Sequence, residues 1–190
     1  MVDTSKILNF DKRVQAIENK IESVADFPIK GILFRDITTL LESPKEFKDT
    51  IDIFYEAYKD KKLDAIVAAD ARGFLFGSAL AYLLGCKLVL VRKKGKLPRK
   101  CISQSYQLEY GSATLELSEA SLKASENVLL IDDLLATGGT AAAMVELVKQ
   151  LNVNIVSFAF VIDLFDLGGS KLLEDKYGIE VFSLVKFPGH

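Results

Sequence analysis

Val128-Leu129-Leu130-Ile131-Asp132-Asp133-Leu134-Leu135-Ala136-Thr137-Gly138-Gly139-Thr140 is the stretch on which the reading of this chain turns. Four leading apolar residues predict a strand buried on both faces. Two adjacent carboxylates stand at its carboxyl end, and a turn of small residues then opens a helix. Gly138 and Gly139 admit left-handed dihedrals and close backbone approach. Backbone N–H groups at the helix N-terminus, with the Thr137 and Thr140 hydroxyls, can cradle a phosphate. Asp132 and Asp133 would repel that phosphate, but they can accept hydrogen bonds from sugar hydroxyls or orient water on a divalent cation. An acid pair beside an anion cradle describes a sugar phosphate site. The segment is no Walker loop, for it lacks G-K-[ST], and no G-x-G-x-x-G dinucleotide turn. The competing reading is an acidic, glycine-containing turn that binds nothing.

Outward from this stretch the same rhythm repeats. Apolar residues 65–69 precede a turn at 70–73, a helical stretch over 74–84 and an apolar run over 87–91. On the other side, a helix over about 140–151 leads to a strand over 155–162, and residues 181–185 add a last strand. Continuous apolar strands alternating with helices predict an α/β fold: a central, mainly parallel sheet with helices on both faces, joined by right-handed crossovers. Ser43-Pro44-Lys45-Glu46 combines a serine N-cap, proline at the first helical position and glutamate three residues on, so a helix is predicted from there to about residue 61. Ile7, Phe10, Val14, Ile17 and Ile21 recur at helical spacing and predict a peripheral amphipathic helix over 7–24. Residues 32–41 read as a strand-like run interrupted by the charged pair Arg35 and Asp36. Between the two strand-helix-strand units, residues 93–125 hold a basic, proline-containing segment and an alternating stretch over 106–117 that predicts a hairpin. Ligands of open parallel sheets bind at the carboxyl ends of the strands, so the loops after Ala69, Val91 and Ile131 form the candidate site, with the 93–125 insertion as a mobile cover.

The 190 residues are close to the length of one domain, and a single domain over 1–190 is expected. Hydrophobic residues at 49% and charged residues at 26% exclude a disordered or collagen-like chain. A formal net charge of −2 offers no general attraction for nucleic acid or an anionic membrane. The longest uncharged stretch, residues 73–86, is too short to span a bilayer, and the first residues lack the basic-then-apolar pattern of a signal peptide. Cys86 and Cys101 have no C-x-x-C spacing, so neither a disulfide framework nor a zinc site is expected, and a reducing compartment fits. His190, the one histidine, is assigned no role.

The 128–140 stretch resembles the phosphoribosyl-pyrophosphate (PRPP) motif of the type I phosphoribosyltransferase family. Four further segments are similar to those of its adenine-specific branch. They are Phe27-Pro28-Ile29-Lys30-Gly31-Ile32-Leu33-Phe34-Arg35-Asp36-Ile37-Thr38, Asp70-Ala71-Arg72-Gly73-Phe74-Leu75-Phe76-Gly77, Arg92-Lys93-Lys94-Gly95-Lys96-Leu97-Pro98 and Ser105-Tyr106-Gln107-Leu108-Glu109-Tyr110-Gly111. The resemblance runs from about residue 27 to residue 183.

That resemblance implies a type I phosphoribosyltransferase fold with an N-terminal helix and base-binding hood in about 1–41 and a flexible catalytic loop and hairpin in about 93–118. It implies a purine salvage enzyme that transfers ribose 5-phosphate from PRPP to N9 of adenine, giving AMP and pyrophosphate with Mg²⁺, in a cytoplasmic homodimer with no nucleic acid or membrane partner. Ala136, Thr137, Gly138, Gly139 and Thr140 would hold the 5′-phosphate, and Asp132 and Asp133 the ribose hydroxyls. The Mg²⁺ would be held mainly by PRPP, with Asp132 reaching it through water. Asp70, Ala71, Arg72, Arg92, Lys93 and Lys96 would meet the pyrophosphate, and the peptide joining residues like Asp70 and Ala71 is often cis in the family. Backbone groups of Leu33 and Arg35 would read the edge of adenine while Phe34 and Leu134 sandwich its ring. Glu109, with Arg72, would be catalytic, managing the proton at N7 as N9 reacts, and Tyr110 would help to close the loop. The 6-oxopurine enzymes typically carry aspartate at the position of Ala136, which favours adenine here. A 6-oxopurine phosphoribosyltransferase and a non-catalytic PRPP-binding regulator remain the alternatives, the latter disfavoured by an acidic chain without a clear helix-turn-helix. Lys30 and Thr39 depart from the family's usual prolines, both within the hood.

Overall fold

The structure is a computed structural model that describes residues 2–107 and 111–189. Two elements meet at its centre: β3 (Ala65–Ala69) and β7 (Asn127–Leu135), which pair in parallel with Val67 opposite Leu130. Around them a seven-stranded sheet runs in the order β5-β6-β4-β3-β7-β8-β9, with β4 (Lys87–Lys93), β8 (Asn154–Leu164) and β9 (Val181–Phe187) also parallel. The hairpin of β5 (Cys101–Gln107) and β6 (Ser112–Ser118) extends one edge in antiparallel pairing.

Alternation along the central strands sends side chains into two cores. Ile66, Ala68, Leu129 and Ile131 pack against α3 (Pro44–Tyr58) and α4 (Gly73–Leu84), joined by Ile17 of α1 (Phe10–Glu18) and Leu40 of α2 (Thr38–Leu41). Val67, Val128 and Leu130 pack against α5 (Gly139–Lys149) and Leu173 of α6 (Gly169–Tyr177). Because α4 and α5 leave neighbouring parallel strands toward opposite faces, a crevice opens between the carboxyl ends of β3 and β7. Such a switch point is where open α/β sheets take ligands. Among the described residues, no helix is long and apolar enough to cross a membrane.

The amino-terminal third departs from the periodicity. The helix predicted over 7–24 stops at Glu18, and Glu22–Ala25 forms β1, which pairs antiparallel with β2 (Leu33–Asp36). All four β1 residues are exposed, so long-range pairing rather than an apolar face defines this strand. The run over 32–41 is half strand and half helix, because the Asp36 carboxylate accepts from the Thr38 N–H at 2.9 Å and turns the chain into α2. Helix α3 begins at Pro44 as expected but ends at Tyr58, short of 61; the Ser43 hydroxyl bonds the Glu46 carboxylate instead of capping a backbone N–H. The hairpin predicted over 106–117 starts earlier, at Cys101, with Tyr106 opposite Ala113.

Candidate active site

At that crevice lies a cavity of about 410 Å³, walled by residues 69–72 after β3 and 132–141 at the end of β7, with Lys93, Tyr106, Ala113, Leu115 and Phe160. Strand β7 runs on to Leu135, so Asp132 and Asp133 are strand residues rather than residues of the following turn. Gly138 then adopts φ +85°, a left-handed conformation costly for residues with a Cβ, and serves as N-cap of α5. Gly139 stays out of that region, and its Cα faces the hairpin, where a Cβ would lie 3.9 Å from the Gln107 carbonyl oxygen. No side chain caps α5, so the first N–H groups of the helix are left for an anion. Thr140 beside them donates to the Tyr106 hydroxyl at 3.3 Å.

Asp133 is 3% exposed and pairs through Oδ2 with Arg72 Nε at 2.8 Å. Asp132 Oδ1 accepts the Asp133 backbone N–H at 2.8 Å. Burial raises both carboxyl pKa values. For Asp132 the neighbouring Asp133 charge adds to the rise, whereas Arg72 opposes it at Asp133. Two crowded acids at the mouth of a cavity are poised to accept hydroxyl hydrogens or water on a cation. Among the described residues no three His, Cys, Asp or Glu side chains converge on a point. A carboxylate or two is the donor set Mg²⁺ takes when phosphates and waters complete its octahedron.

The Asp70–Ala71 peptide is cis, as the family resemblance implies. Arg92 lies outside the cavity wall, with its Nε bonded to Asp70 Oδ2 at 2.9 Å and its Nη1 to the Lys96 carbonyl oxygen at 3.3 Å. Of the other predicted basic residues, Lys93 lines the cavity, whereas Lys96 is exposed and outside its wall. Leu134 and Ala136 are on the wall; Leu33, Phe34 and Arg35 are not. Phe34 nevertheless reaches the site's edge, its ring centroid 5.9 Å from the Arg72 guanidinium. Glu109 and Tyr110 lie outside the described residues. Tyr106, Ala113, Leu115 and Phe160 were not singled out from the sequence. Tyr106 stood inside a quoted segment, whereas Phe160 reads only as a core strand residue.

The chain matches the family model of the phosphoribosyl transferase domain over residues 36–189. It is 49% identical over 179 residues to the adenine phosphoribosyltransferase of Escherichia coli, covering 94% of this chain and 97% of that protein. The crystal structure of adenine phosphoribosyltransferase from Thermoanaerobacter pseudethanolicus superposes with a TM-score of 0.86 at 43% identity, covering 92% of this chain and 99% of that one. The Saccharomyces cerevisiae enzyme, complexed with D-2,5-dideoxy-2,5-imino-altritol 1,6-bisphosphate and adenine, superposes with a TM-score of 0.85 at 40% identity, covering 92% and 99%.

Proposed function

The chain belongs to the adenine phosphoribosyltransferases of the phosphoribosyl transferase domain family, and from that premise we propose how its residues divide the reaction. It transfers ribose 5-phosphate from PRPP to N9 of adenine, releasing pyrophosphate and AMP in purine salvage. The observation that carries the assignment of parts is one cavity lined by an acid pair, an arginine and an uncapped helix N-terminus.

The 5′-phosphate sits on Ala136, Thr137, Gly138, Gly139 and Thr140, where N–H groups and two hydroxyls converge. Asp132 and Asp133 accept from the ribose hydroxyls. Arg72 holds pyrophosphate oxygens with its planar fork. To do so it trades part of its Asp133 contact for substrate. The backbone at Asp70 and Ala71, with Arg92, Lys93 and Lys96, completes the anion site, Arg92 acting by steadying Asp70. Asp132, through water, is the side chain that would reach Mg²⁺; the ion, when bound, would neutralise charge on the departing pyrophosphate. Loss of pyrophosphate leaves a ribosyl centre with cationic character, which gains from stabilised leaving-group charge and from exclusion of water. Adenine enters between Phe34 and Leu134, its edge read by backbone groups of Leu33 and Arg35. Glu109 manages the N7 proton, and Tyr110 helps to close the loop.

The working unit is a homodimer of single-domain chains in the cytoplasm, where the free thiols of Cys86 and Cys101 persist. Support for a partner copy comes from the outer face of α4, where Leu75, Tyr82 and Leu83 are 43%, 85% and 43% exposed around the exposed Ser78. Large apolar side chains grouped on one exposed face ordinarily mark a contact surface.

The test is incubation with PRPP and Mg²⁺ and, separately, adenine, hypoxanthine and guanine, following nucleotide and pyrophosphate. AMP from adenine alone is the expected result. Turnover only with a 6-oxopurine would overturn the role given to Ala136, and PRPP binding without turnover would favour the regulator.

A further inference from the structure

Arg35 presents an arginine side chain that the reaction as divided above leaves unused. Side chains alternate along β2, so with Phe34 turned toward Arg72, Arg35 points to the opposite face. There it is 7% exposed. Its guanidinium donates to the Ser23 hydroxyl on β1 and, at 3.0 Å, to the Pro188 carbonyl oxygen, and it lies 4.5 Å from the centroid of the Phe187 ring. Its Nε is buried without a hydrogen-bond partner among the described residues. Burial pulls its pKa below the ordinary arginine range. The tail that receives it is tied down in turn, since the Gly189 N–H donates to Asp166 Oδ1 at 2.7 Å.

Burying a cation with part of its donor capacity unmet costs stability. What the planar fork supplies in return is geometry, because one rigid group spans β1, β2 and a segment 153 residues distant in the chain. We propose that the Arg35 side chain is a positioning residue for adenine, clamping the back of β2 to the carboxy-terminal tail at Phe187 and Pro188. Phe34 and the β2 backbone then meet the purine at a fixed depth. The tail is thereby part of the base site without touching the base. The 5′-phosphate site at the end of β7 lies away from this clamp, and the pyrophosphate site meets it only where the Phe34 ring approaches Arg72 at 5.9 Å. The inference rests on the adenine reading above and predicts an asymmetry that a general loss of stability would not produce.

The experiment measures KM for adenine and for PRPP separately in Arg35→Ala, Arg35→Lys and Phe187→Leu, after AMP formation by the wild type has been established. Arg35→Ala is expected to raise the adenine KM about ten- to a hundredfold, the range for losing hydrogen bonds from a charged donor, and to move the PRPP KM by a much smaller factor. Guanidinium chloride far below denaturing concentrations should restore the adenine KM, where sodium chloride should not. Phe187→Leu, which keeps an apolar side chain but removes the ring, should shift the same parameter by a smaller factor; with Arg35→Lys it carries the comparison if the alanine variant does not fold. A parallel rise in both KM values, or an unmoved adenine KM, overturns the clamp. Wild-type protein that makes no AMP overturns the adenine reading, and the clamp with it.

Discussion

Asp132, in the role proposed for it, would serve function at the expense of the free protein. Its carboxyl pKa is raised well above 3.8 by burial and by the charge of Asp133. An acid with a raised folded-state pKa holds extra protons when folded. Stability therefore falls as pH climbs from the ordinary aspartate range through the raised value, and stays lower above it. Asp132→Asn keeps an oxygen for the Asp133 N–H and removes the buried charge. It is expected to raise the Tm of the ligand-free protein at neutral pH, with the gain vanishing as pH falls below the aspartate range, while PRPP affinity drops about ten- to a hundredfold. Thermal melts across pH and PRPP titrations check both halves; a Tm gain that is independent of pH would remove the charge argument. Glu109 makes a second case, on a position outside the described residues. Glu109→Gln should lower kcat by about 10²- to 10⁴-fold, the usual worth of a general acid–base group, with PRPP binding nearly unchanged. Unaltered turnover takes Glu109 out of the mechanism. The acid pair and the Gly138 turn were legible in thirteen consecutive residues, because the chemistry of that site is local in the chain. The partners of the acids were not: nothing in the spacing says that Arg72 reaches Asp133 or that Arg92 reaches Asp70.

Among the elements, α4 sets the opening of the site, since its first turn follows the cis Asp70–Ala71 peptide directly. Its seat on the sheet depends on Gly77, where a Cβ would stand 2.8 Å from the Ala68 Cβ and 3.1 Å from Ile131 Cγ2. Gly77→Ala forces helix and sheet apart in a packed core, a change that costs about 1–3 kcal/mol. For a chain of this size that is a Tm loss of roughly 2 to 12 °C, measurable by calorimetry, and a Tm equal to the wild type would mean that the contact relaxes freely. Element type followed from local signals, the Ser43-Pro44-Lys45-Glu46 start for α3 and the turns that bracket α4 and α5 between apolar strand runs. It failed in β1, whose four exposed residues carry no pattern and become a strand only because Glu22 to Ala25 find Asp36 to Leu33. Thr39 explains part of that entry path: its hydroxyl accepts the Glu22 N–H at 3.2 Å and lies 2.9 Å from the Asp36 carbonyl oxygen, so it stitches β1 to α2.

For the whole molecule, the exposed stripe of α4 is the face proposed above to meet a second copy of the chain. Tyr82→Glu places a charge in the last turn of that face and is expected to convert a dimer into a monomer by sedimentation or light scattering at micromolar concentration; an unchanged mass would locate the dimer contact elsewhere. The hairpin of β5 and β6 acts at the same scale. It follows the basic segment after β4 and brings Tyr106 to Thr140 across 34 residues of chain. The sequence by itself determined the parallel sheet, the crossover helices and the small-residue turn that opens α5, because each is written in contiguous residues whose periodicity or backbone freedom acts over a few ångströms of chain. Only the tertiary structure decided the strand β1, the clamp of Arg35 on Pro188, the ion pairs of Arg72 and Arg92 and the seat of Tyr106. Those contacts join segments far apart in the chain, and which surfaces meet depends on how the two cores pack, a property that no local spacing carries.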